Sequence, residues 1–193
     1  MVSGSEFILG GQRSGKSRRA ELLARAWMAL VPSHKAVLIA TATAWDVEMR
    51  ERIERHQLDR AERVPRMTTI EEPTALSEAI QTHTDPQTLL VVDCLTLWLT
   101  NLMMPHEALK NTSNESLAQQ IRAQAATILI AIDNAPGPVV LVGNEIGLGV
   151  IPMGRETRQF VDALGRLNQE VAARCARVTL MVAGLPLTLK DQP

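Results

Sequence analysis

Aromatic side chains and strong net charge are both scarce in this sequence. Aromatic residues make up 3% of the 193 positions and tyrosine is absent, which argues against a base-stacking platform for single-stranded nucleic acid. The formal net charge is −1, so neither a general nucleic-acid binder nor a membrane-surface binder is expected.

Long apolar runs and cysteines are lacking as well. No run approaches the ~18 apolar residues of a membrane helix, and the first residues show no signal-peptide pattern. The two cysteines, Cys94 and Cys175, lie far apart and in no metal-binding spacing. We therefore expect a cytoplasmic protein with reduced, buried thiols, no membrane segment and no nucleic-acid partner.

Hydrophobic residues are plentiful, at 46%, which is enough for one domain over residues 1–193. Short apolar runs alternate with helix-forming segments, which predicts an α/β fold with a mostly parallel sheet and helices on both faces. Predicted strands cover 7–9, 36–40, 89–93, 139–142 and 178–182. Predicted helices cover 18–29, 46–59, a segment opening at Pro73, 117–132 and 155–175, and residues 95–104 are expected to form a helix or a turn. Residues 62–72 are expected to be irregular and 110–116 to form a loop.

The region that organises the chain is a glycine loop between the first strand and the first helix. It reads G-x-x-x-x-G-K-S, and the strand-loop-helix context makes a phosphate loop a better interpretation than a chance match in a turn. Its backbone N–H groups would surround phosphates, Lys16 would reach the β- and γ-phosphates, and the Ser17 hydroxyl would bind Mg²⁺. The loop residues are Gly10, Gly11, Gln12, Arg13, Ser14, Gly15, Lys16 and Ser17.

Asp93 ends the apolar run at 89–93, where a Walker-B acid would hold Mg²⁺ directly or through water. A structural cap is the competing interpretation. Gly10, Thr41, Asp93 and Asn144 all follow predicted strands, and ligands of parallel sheets collect at the carboxyl ends of strands.

His56 lies on the charged predicted helix, in a stripe with Met49, Ile53 and Arg60. A packed or surface histidine is one interpretation. The other is a nucleophile, since an imidazole with a pKa near ~6.5 is largely neutral at physiological pH and can attack phosphorus. The nearby arginines would then hold phosphates, or would simply form a solvated face paired with acidic neighbours. They are Arg52, Arg55 and Arg60.

Three further groups of polar residues give less specific signals. Glu71 and Glu72 precede Pro73 and would either contact a ribose or favour a helix N-terminus. Asn144 and Glu145 precede a glycine-rich loop and are either functional or hold that loop. Polar residues along the last predicted helix are expected to form weak surface salt bridges. They are Arg155, Arg158, Asp162 and Asn168.

Taken together, these residues resemble the bifunctional adenosylcobinamide kinase / adenosylcobinamide-phosphate guanylyltransferase family of cobalamin biosynthesis, over nearly the whole chain. The departures are Met67, where the family usually has tryptophan, and a few extra residues between His56 and Glu71, which leave the local shape there open. The matching segments are G-G-Q-R-S-G-K-S at 10–17, A-T-A at 40–42, E-M-x-x-R-I-x-x-H at 48–56, T-I-E-E-P at 69–73, V-D-C-L-T-L-W-L-T-N-L at 92–102, N-E-I-G-L-G-V-I-P at 144–152 and G-R-L-N-Q at 165–169.

The resemblance implies two reactions. A nucleotide γ-phosphate passes to the aminopropanol hydroxyl of adenosylcobinamide, with ATP or GTP as donor. His56 then attacks the α-phosphate of GTP, and adenosylcobinamide-phosphate takes the GMP from the histidine. The resemblance also implies a RecA-like phosphate-loop fold and a homotrimer. The guanine nucleotide site it implies contains Thr41, Ala42, Thr43, Gln57, Leu58, Asp59, Arg60, Glu71 and Asp93.

The residues alone leave two other functions open. A small-molecule kinase without a covalent step predicts that His56 is dispensable. A nucleotide-dependent switch predicts slow hydrolysis and a protein partner that recognises one nucleotide state.

Overall fold

A computed structural model describes residues 4–103 and 114–192. In these ranges seven strands form one sheet. Their bounds are β1 Ser5–Gly10, β2 Lys35–Ala40, β3 Thr68–Glu71, β4 Thr88–Asp93, β5 Val139–Asn144, β6 Arg177–Val182 and β7 Leu185–Asp191. The order across the sheet is β3-β2-β4-β5-β1-β6-β7, and every pair is parallel except β6–β7.

Six helices accompany the strands in the same ranges. Their bounds are α1 Lys16–Leu30, α2 Val47–Arg63, α3 Leu76–His83, α4 Leu95–Met103, α5 Asn114–Asp133 and α6 Arg155–Arg174. None of these helices is both long enough and apolar enough to cross a membrane. The predicted α/β class with a mostly parallel sheet is therefore confirmed.

Two hydrophobic cores cover the two faces of the sheet. Successive residues of β1 alternate between them, with Phe7 in the core formed with α3 to α6 and Ile8 in the core under α1. Phe7 and Trp98 are fully buried, and burial of such a side chain contributes roughly 1.5–3 kcal/mol. Because helices lie on both faces, the strands are buried on both sides and read as continuous apolar runs.

Two strands were not predicted. The segment expected to be irregular contains β3, which pairs with β2 from Val37↔Thr68 to Ala40↔Glu71. Its T-T-I-E sequence has no continuous apolar run because it is an edge strand. β7 follows a tight turn in which Ala183 and Gly184 have φ of 52° and 80°. Its leucines are largely exposed, so no buried pattern marks the strand.

The buried face of α1 is not its most apolar one. Leu22, Leu23, Ala26 and Leu30 recur at helical spacing, yet Leu22 and Leu30 are exposed. The side packed on the sheet consists of two alanines, whose small side chains let the helix lie close, together with a glutamate and a methionine. They are Ala20, Glu21, Ala24 and Met28.

Several boundaries shift by a few residues. α2 extends to Arg63, beyond the predicted end at 59, and α3 begins at Leu76 rather than at Pro73. α5 begins at Asn114, so the prediction of a loop at 110–116 is wrong for residues 114–116. Residues 110–113 of that predicted loop lie outside the described residues. The same holds for residue 104, the last of the predicted segment 95–104. In the predicted stripe of α5, Ala125, Ile128 and Ile132 are buried.

Candidate functional site

The glycine loop joins β1 to α1 in a conformation that requires glycine at two positions. Gly10 has a φ of 155°, and a Cβ there would lie 2.6 Å from the Met181 carbonyl oxygen. Gly15, with a φ of 99°, directly precedes α1. The β6–β7 turn supports the loop from outside, because the Gly184 N–H donates to the Ser14 carbonyl at 3.1 Å. Contacts within the protein thus hold the shape of the loop.

Lys16 is the buried cation of this loop. It is 8% exposed, and its Nζ donates to the Gly11 carbonyl at 2.6 Å. Burial lowers the pKa of Lys16, and the positive charge of Arg52 acts in the same direction, whereas Cys94 and Asp93 oppose the shift. A bound triphosphate would supply the anionic partner that favours the charged amine.

Asp93 and Thr41 meet at the adjacent ends of β4 and β2. The Thr41 N–H donates to the Asp93 carbonyl at 3.1 Å. The Thr41 hydroxyl donates to the Cys94 carbonyl at 2.7 Å and accepts from the Cys94 N–H at 2.8 Å. The peptide bond between Asp93 and Cys94 is cis. Thr41 is fully buried, so its hydroxyl organises the strand ends rather than facing a ligand, whereas Ala42 and Thr43 are partly exposed.

The predicted nucleophile lies on α2, a helix of 17 residues that contains no buried residue. Its partly buried side includes Arg52, Ile53, Asp59 and Arg60, and His56 occupies the same stripe by its position in the sequence. Arg52 lowers the pKa of Lys16 through its charge. Arg52 therefore lies within electrostatic range of Lys16, and the His56 imidazole is exposed.

The carboxyl end of α2 is fixed to α1. Arg63 donates to the carboxylate of Glu21, which is buried on α1, and also to Asp59 at 2.6 Å. Burial raises the pKa of the Glu21 carboxyl, and the paired Arg63 opposes that shift. Asp59 was predicted to line the nucleotide site; here it pairs within α2. Gln57 and Leu58 are exposed.

The segment after α2 keeps a defined path despite its unusual sequence. Val64 is buried, and the Met67 N–H donates to the Val64 carbonyl at 3.0 Å. Met67 packs against the core under α1. The chain therefore enters β3 directly after this turn.

Glu71 and Glu72 have different surroundings. The Glu72 carboxylate accepts from the Thr74 and Ala75 N–H groups, at 2.9 and 2.8 Å, and so supports the turn before α3. Glu71 is exposed at the end of β3, beside Ala40. Of the two, Glu71 remains the predicted nucleotide contact.

The loop after β5 adjoins the phosphate loop. The Glu145 N–H donates to the Gly10 carbonyl at 3.1 Å, and Asn168 of α6 donates to the Asn144 carbonyl at 3.1 Å. Arg158 donates to the Pro152 and Met153 carbonyls. The expectation of surface salt bridges is wrong for Asn168, which is buried, and for Arg158, which holds the loop backbone.

Ser17 and Asp93 are the oxygen donors that fit a magnesium ion. Within residues 4–103 and 114–192, no group of three or more His, Cys, Asp or Glu residues could hold a metal. Mg²⁺ commonly uses one or two protein oxygens together with substrate phosphates and water. Asp93 lies close enough to Lys16 for its charge to raise the pKa of the amine. This donor set suits a metal that arrives with a nucleotide.

Comparison with known proteins decides the family. The family model described as "CobU: Cobinamide kinase / cobinamide phosphate guanyltransferase" matches residues 6–189. The chain belongs to this family. The bifunctional adenosylcobalamin biosynthesis protein CobP of Pseudomonas aeruginosa is 44% identical over 188 residues, covering 97% of this chain and 98% of the relative. Its counterpart CobU of Escherichia coli is 35% identical, covering 95% and 98%.

The fold of this CobU-family chain is also found in a distant solved structure. A protein from Pyrococcus horikoshii OT3 superimposes with a TM-score of 0.54 at 9% identity, covering 98% of this chain and 87% of its own. The family resemblance drawn from the motifs is confirmed.

The sequence did not point to Glu21 as the partner of Arg63. Helical spacing does not indicate which residue of another helix a charged side chain of α1 contacts. An acidic residue among the alanines of α1 was the only signal.

Proposed function

We propose that this CobU-family protein phosphorylates adenosylcobinamide and then converts the product to adenosylcobinamide-GDP. The observation that carries the proposal is the meeting of two elements. A glycine loop with a buried lysine lies at the end of β1, and Arg52 of α2, the helix that carries His56, is within electrostatic range of that lysine.

In the first reaction, the aminopropanol hydroxyl attacks the γ-phosphorus of ATP or GTP and a nucleoside diphosphate leaves. Lys16 and the loop N–H groups bind the phosphates. Ser17 and Asp93 would hold Mg²⁺, which neutralises charge on the phosphate oxygens when bound. Such a transfer depends mainly on positioning and electrostatic stabilisation, which the preformed loop supplies.

In the second reaction, the His56 imidazole attacks the α-phosphorus of GTP and releases pyrophosphate. The phosphate of adenosylcobinamide-phosphate then attacks the resulting phosphorus–nitrogen bond and frees the imidazole. Dividing the transfer into two displacements lowers each barrier. The guanine nucleotide would contact residues at the ends of β2, β3 and β4 and on α2. They are Thr41, through its backbone, with Ala42, Thr43, Gln57, Leu58, Asp59, Arg60, Glu71 and Asp93.

The test uses GTP labelled with ³²P at the α-phosphate, in the presence of Mg²⁺. The wild-type protein is expected to carry a protein-bound label that is acid-labile and alkali-stable. His56→Ala should lose the label and keep cobinamide phosphorylation. His83→Ala, at the distant carboxyl end of α3, serves as the control. A wild-type protein that takes up no label would end the guanylyltransferase proposal, and labelling of His56→Ala would move the nucleophile elsewhere.

We further infer a homotrimer, in keeping with the resemblance. β7 is an edge strand, and Val182, Leu185 and Leu187 are 56%, 71% and 55% exposed. An apolar, unpaired edge favours association with another chain, and a second copy of this protein is the proposed occupant. Leu187→Lys should convert the assembly to monomers in light scattering; an unchanged mass would exclude this edge as the interface. The two free, buried thiols fit the cytoplasmic location expected from the sequence.

A further inference from the structure

Two family segments that the nucleotide site does not use come together in one cleft. The cleft has a volume of about 820 Å³ and lies between the loop after β5, α6 and β7. The N-E-I-G-L-G segment contributes Glu145, Gly147 and Leu148, and the G-R-L-N-Q segment contributes Gly165, Arg166 and Gln169. The volume is in the range of sites for sizeable small molecules.

The cleft adjoins the phosphate loop. Leu9, the residue directly before the loop, forms part of its wall, and the Glu145 N–H donates to the Gly10 carbonyl at 3.1 Å. A molecule in this cleft would therefore have one end next to the loop that binds the transferred phosphate. No residue of the proposed guanine site lines the cleft, so both ligands have separate space.

The lining suits an amphipathic ligand. Leu148 and Leu189 are 82% and 56% exposed, whereas Arg166 and Gln169 offer hydrogen-bond donors. A corrinoid has the matching chemistry, since its flat ring carries methyl groups and amide side chains. After the first reaction the ligand also carries a phosphate, for which a guanidinium is a good partner.

We propose that this cleft binds the corrinoid acceptor and that Glu145 holds the acceptor hydroxyl at the phosphate-loop end. The inference rests on the proposed function. In the kinase step the hydroxyl oxygen bonds to the γ-phosphorus while the bond from that phosphorus to the bridging oxygen breaks. The nucleoside diphosphate leaves with the electron pair, and the hydroxyl proton passes to the Glu145 carboxylate.

Gly165 gives a direct test, because a Cβ on this residue would meet no atom within 4 Å. Gly165→Leu therefore fills the cleft without a clash at the helix, and leucine favours a helix more than glycine does. We expect the KM for cobinamide to rise at least ~10-fold, with an equal loss of equilibrium binding. Labelling by α-³²P GTP should stay at the wild-type level. The control is Ala173→Leu, which adds a similar side chain to an exposed position of α6 outside the cleft.

A second variant tests the carboxylate. Glu145→Gln should lower the kcat of cobinamide phosphorylation by roughly 100-fold, with little change in cobinamide KM or in GMP labelling. An unchanged kcat would remove Glu145 from the reaction.

The outcomes separate the two proposals. If the wild-type protein takes up no label, the proposed function fails, whatever the cleft does. If it takes up label while Gly165→Leu binds cobinamide with wild-type affinity, the cleft is not the acceptor site. If Gly165→Leu loses labelling and nucleotide binding while remaining folded by circular dichroism, the cleft belongs to the nucleotide, and the inference is likewise overturned.

Discussion

The phosphate loop and α2 are attached to the protein in opposite ways. The loop lies between the buried end of β1 and the packed side of α1, and Met181 and Gly184 hold it from the neighbouring strand and turn. α2 has no buried residue over its length, and its firmest contact is the Arg63–Glu21 pair at one end. The element that would bind phosphate is preorganised, whereas the element that would carry the nucleophile is held by few contacts.

This difference suits a two-step reaction. Phosphate binding gains from groups that need no rearrangement when charge develops. A histidine that must first meet GTP and later meet a second substrate gains from a helix of low local stability, since few contacts must break for it to adjust. The following predictions test whether the two regions can be disturbed separately.

The largest expected effect is on the attachment of α2. Arg63→Ala leaves the Glu21 carboxylate buried without its partner, which should cost roughly 3–5 kcal/mol of unfolding free energy in urea denaturation. The double variant Glu21→Leu/Arg63→Met should recover most of that stability, because well-packed apolar side chains often replace a buried pair. Its rate of His56 labelling should nevertheless stay roughly 10- to 100-fold low, through misplacement of α2. A double variant that labels at the wild-type rate would show that the pair does not place the helix.

The next effect is on the preformed loop. Gly10→Ala introduces a Cβ 2.6 Å from the Met181 carbonyl at a φ of 155°. Backbone strain of ~1–3 kcal/mol corresponds to nucleotide binding weakened roughly 5- to 150-fold, for both reactions, by calorimetry. Gly11→Ala is the matched control, because its Cβ would meet nothing within 4 Å. Equal affinities of the two variants would contradict the shape argument.

Thr41 separates a structural from a binding role. Thr41→Val removes the acceptor of the buried Cys94 N–H and should lower the unfolding free energy by ~1–3 kcal/mol. The nucleotide affinity of the folded variant should equal that of the wild-type protein. Thr43→Val, at a partly exposed position, should change stability by less than ~0.5 kcal/mol. A loss of affinity at full stability would instead mean that the Thr41 hydroxyl contacts the ligand.

The smallest effect is at the beginning of α2. The Asp46 side chain accepts from the Met49 N–H at 2.7 Å and caps the helix. Asp46→Ala should cost about 1 kcal/mol of local stability, visible as faster hydrogen exchange at the start of α2 with little change in melting temperature. Asp46→Asn keeps the cap and should exchange like the wild type. Exchange unchanged in Asp46→Ala would show that other contacts hold this end.

The parts of the fold that were predictable depend on neighbouring residues in the sequence. The strand, glycine loop and helix at the start of the chain, the buried strands and the long helices each have a local pattern, and the observed secondary structure agrees with it. Asp93 was placed at a strand end because a continuous apolar run precedes it.

The parts that were missed depend on partners far along the chain. Glu6 is buried on β1 because Arg19 and Thr179 donate to it, and neither partner follows from local spacing. The edge strands β3 and β7 lack the apolar run of a buried strand. The cleft is formed by segments about 20 residues apart that meet only when α6 packs beside β5, so no single motif could have indicated it.

The hydrogen bond from the β6–β7 turn connects the edge of the sheet at β7 to the phosphate loop. If copies of the chain associate along β7, contacts that order this edge strand also order the loop that would bind phosphate. Assembly and GTP binding then become thermodynamically coupled. Each would then strengthen the other by the same factor. Dilution of the protein would therefore lower its affinity for the nucleotide.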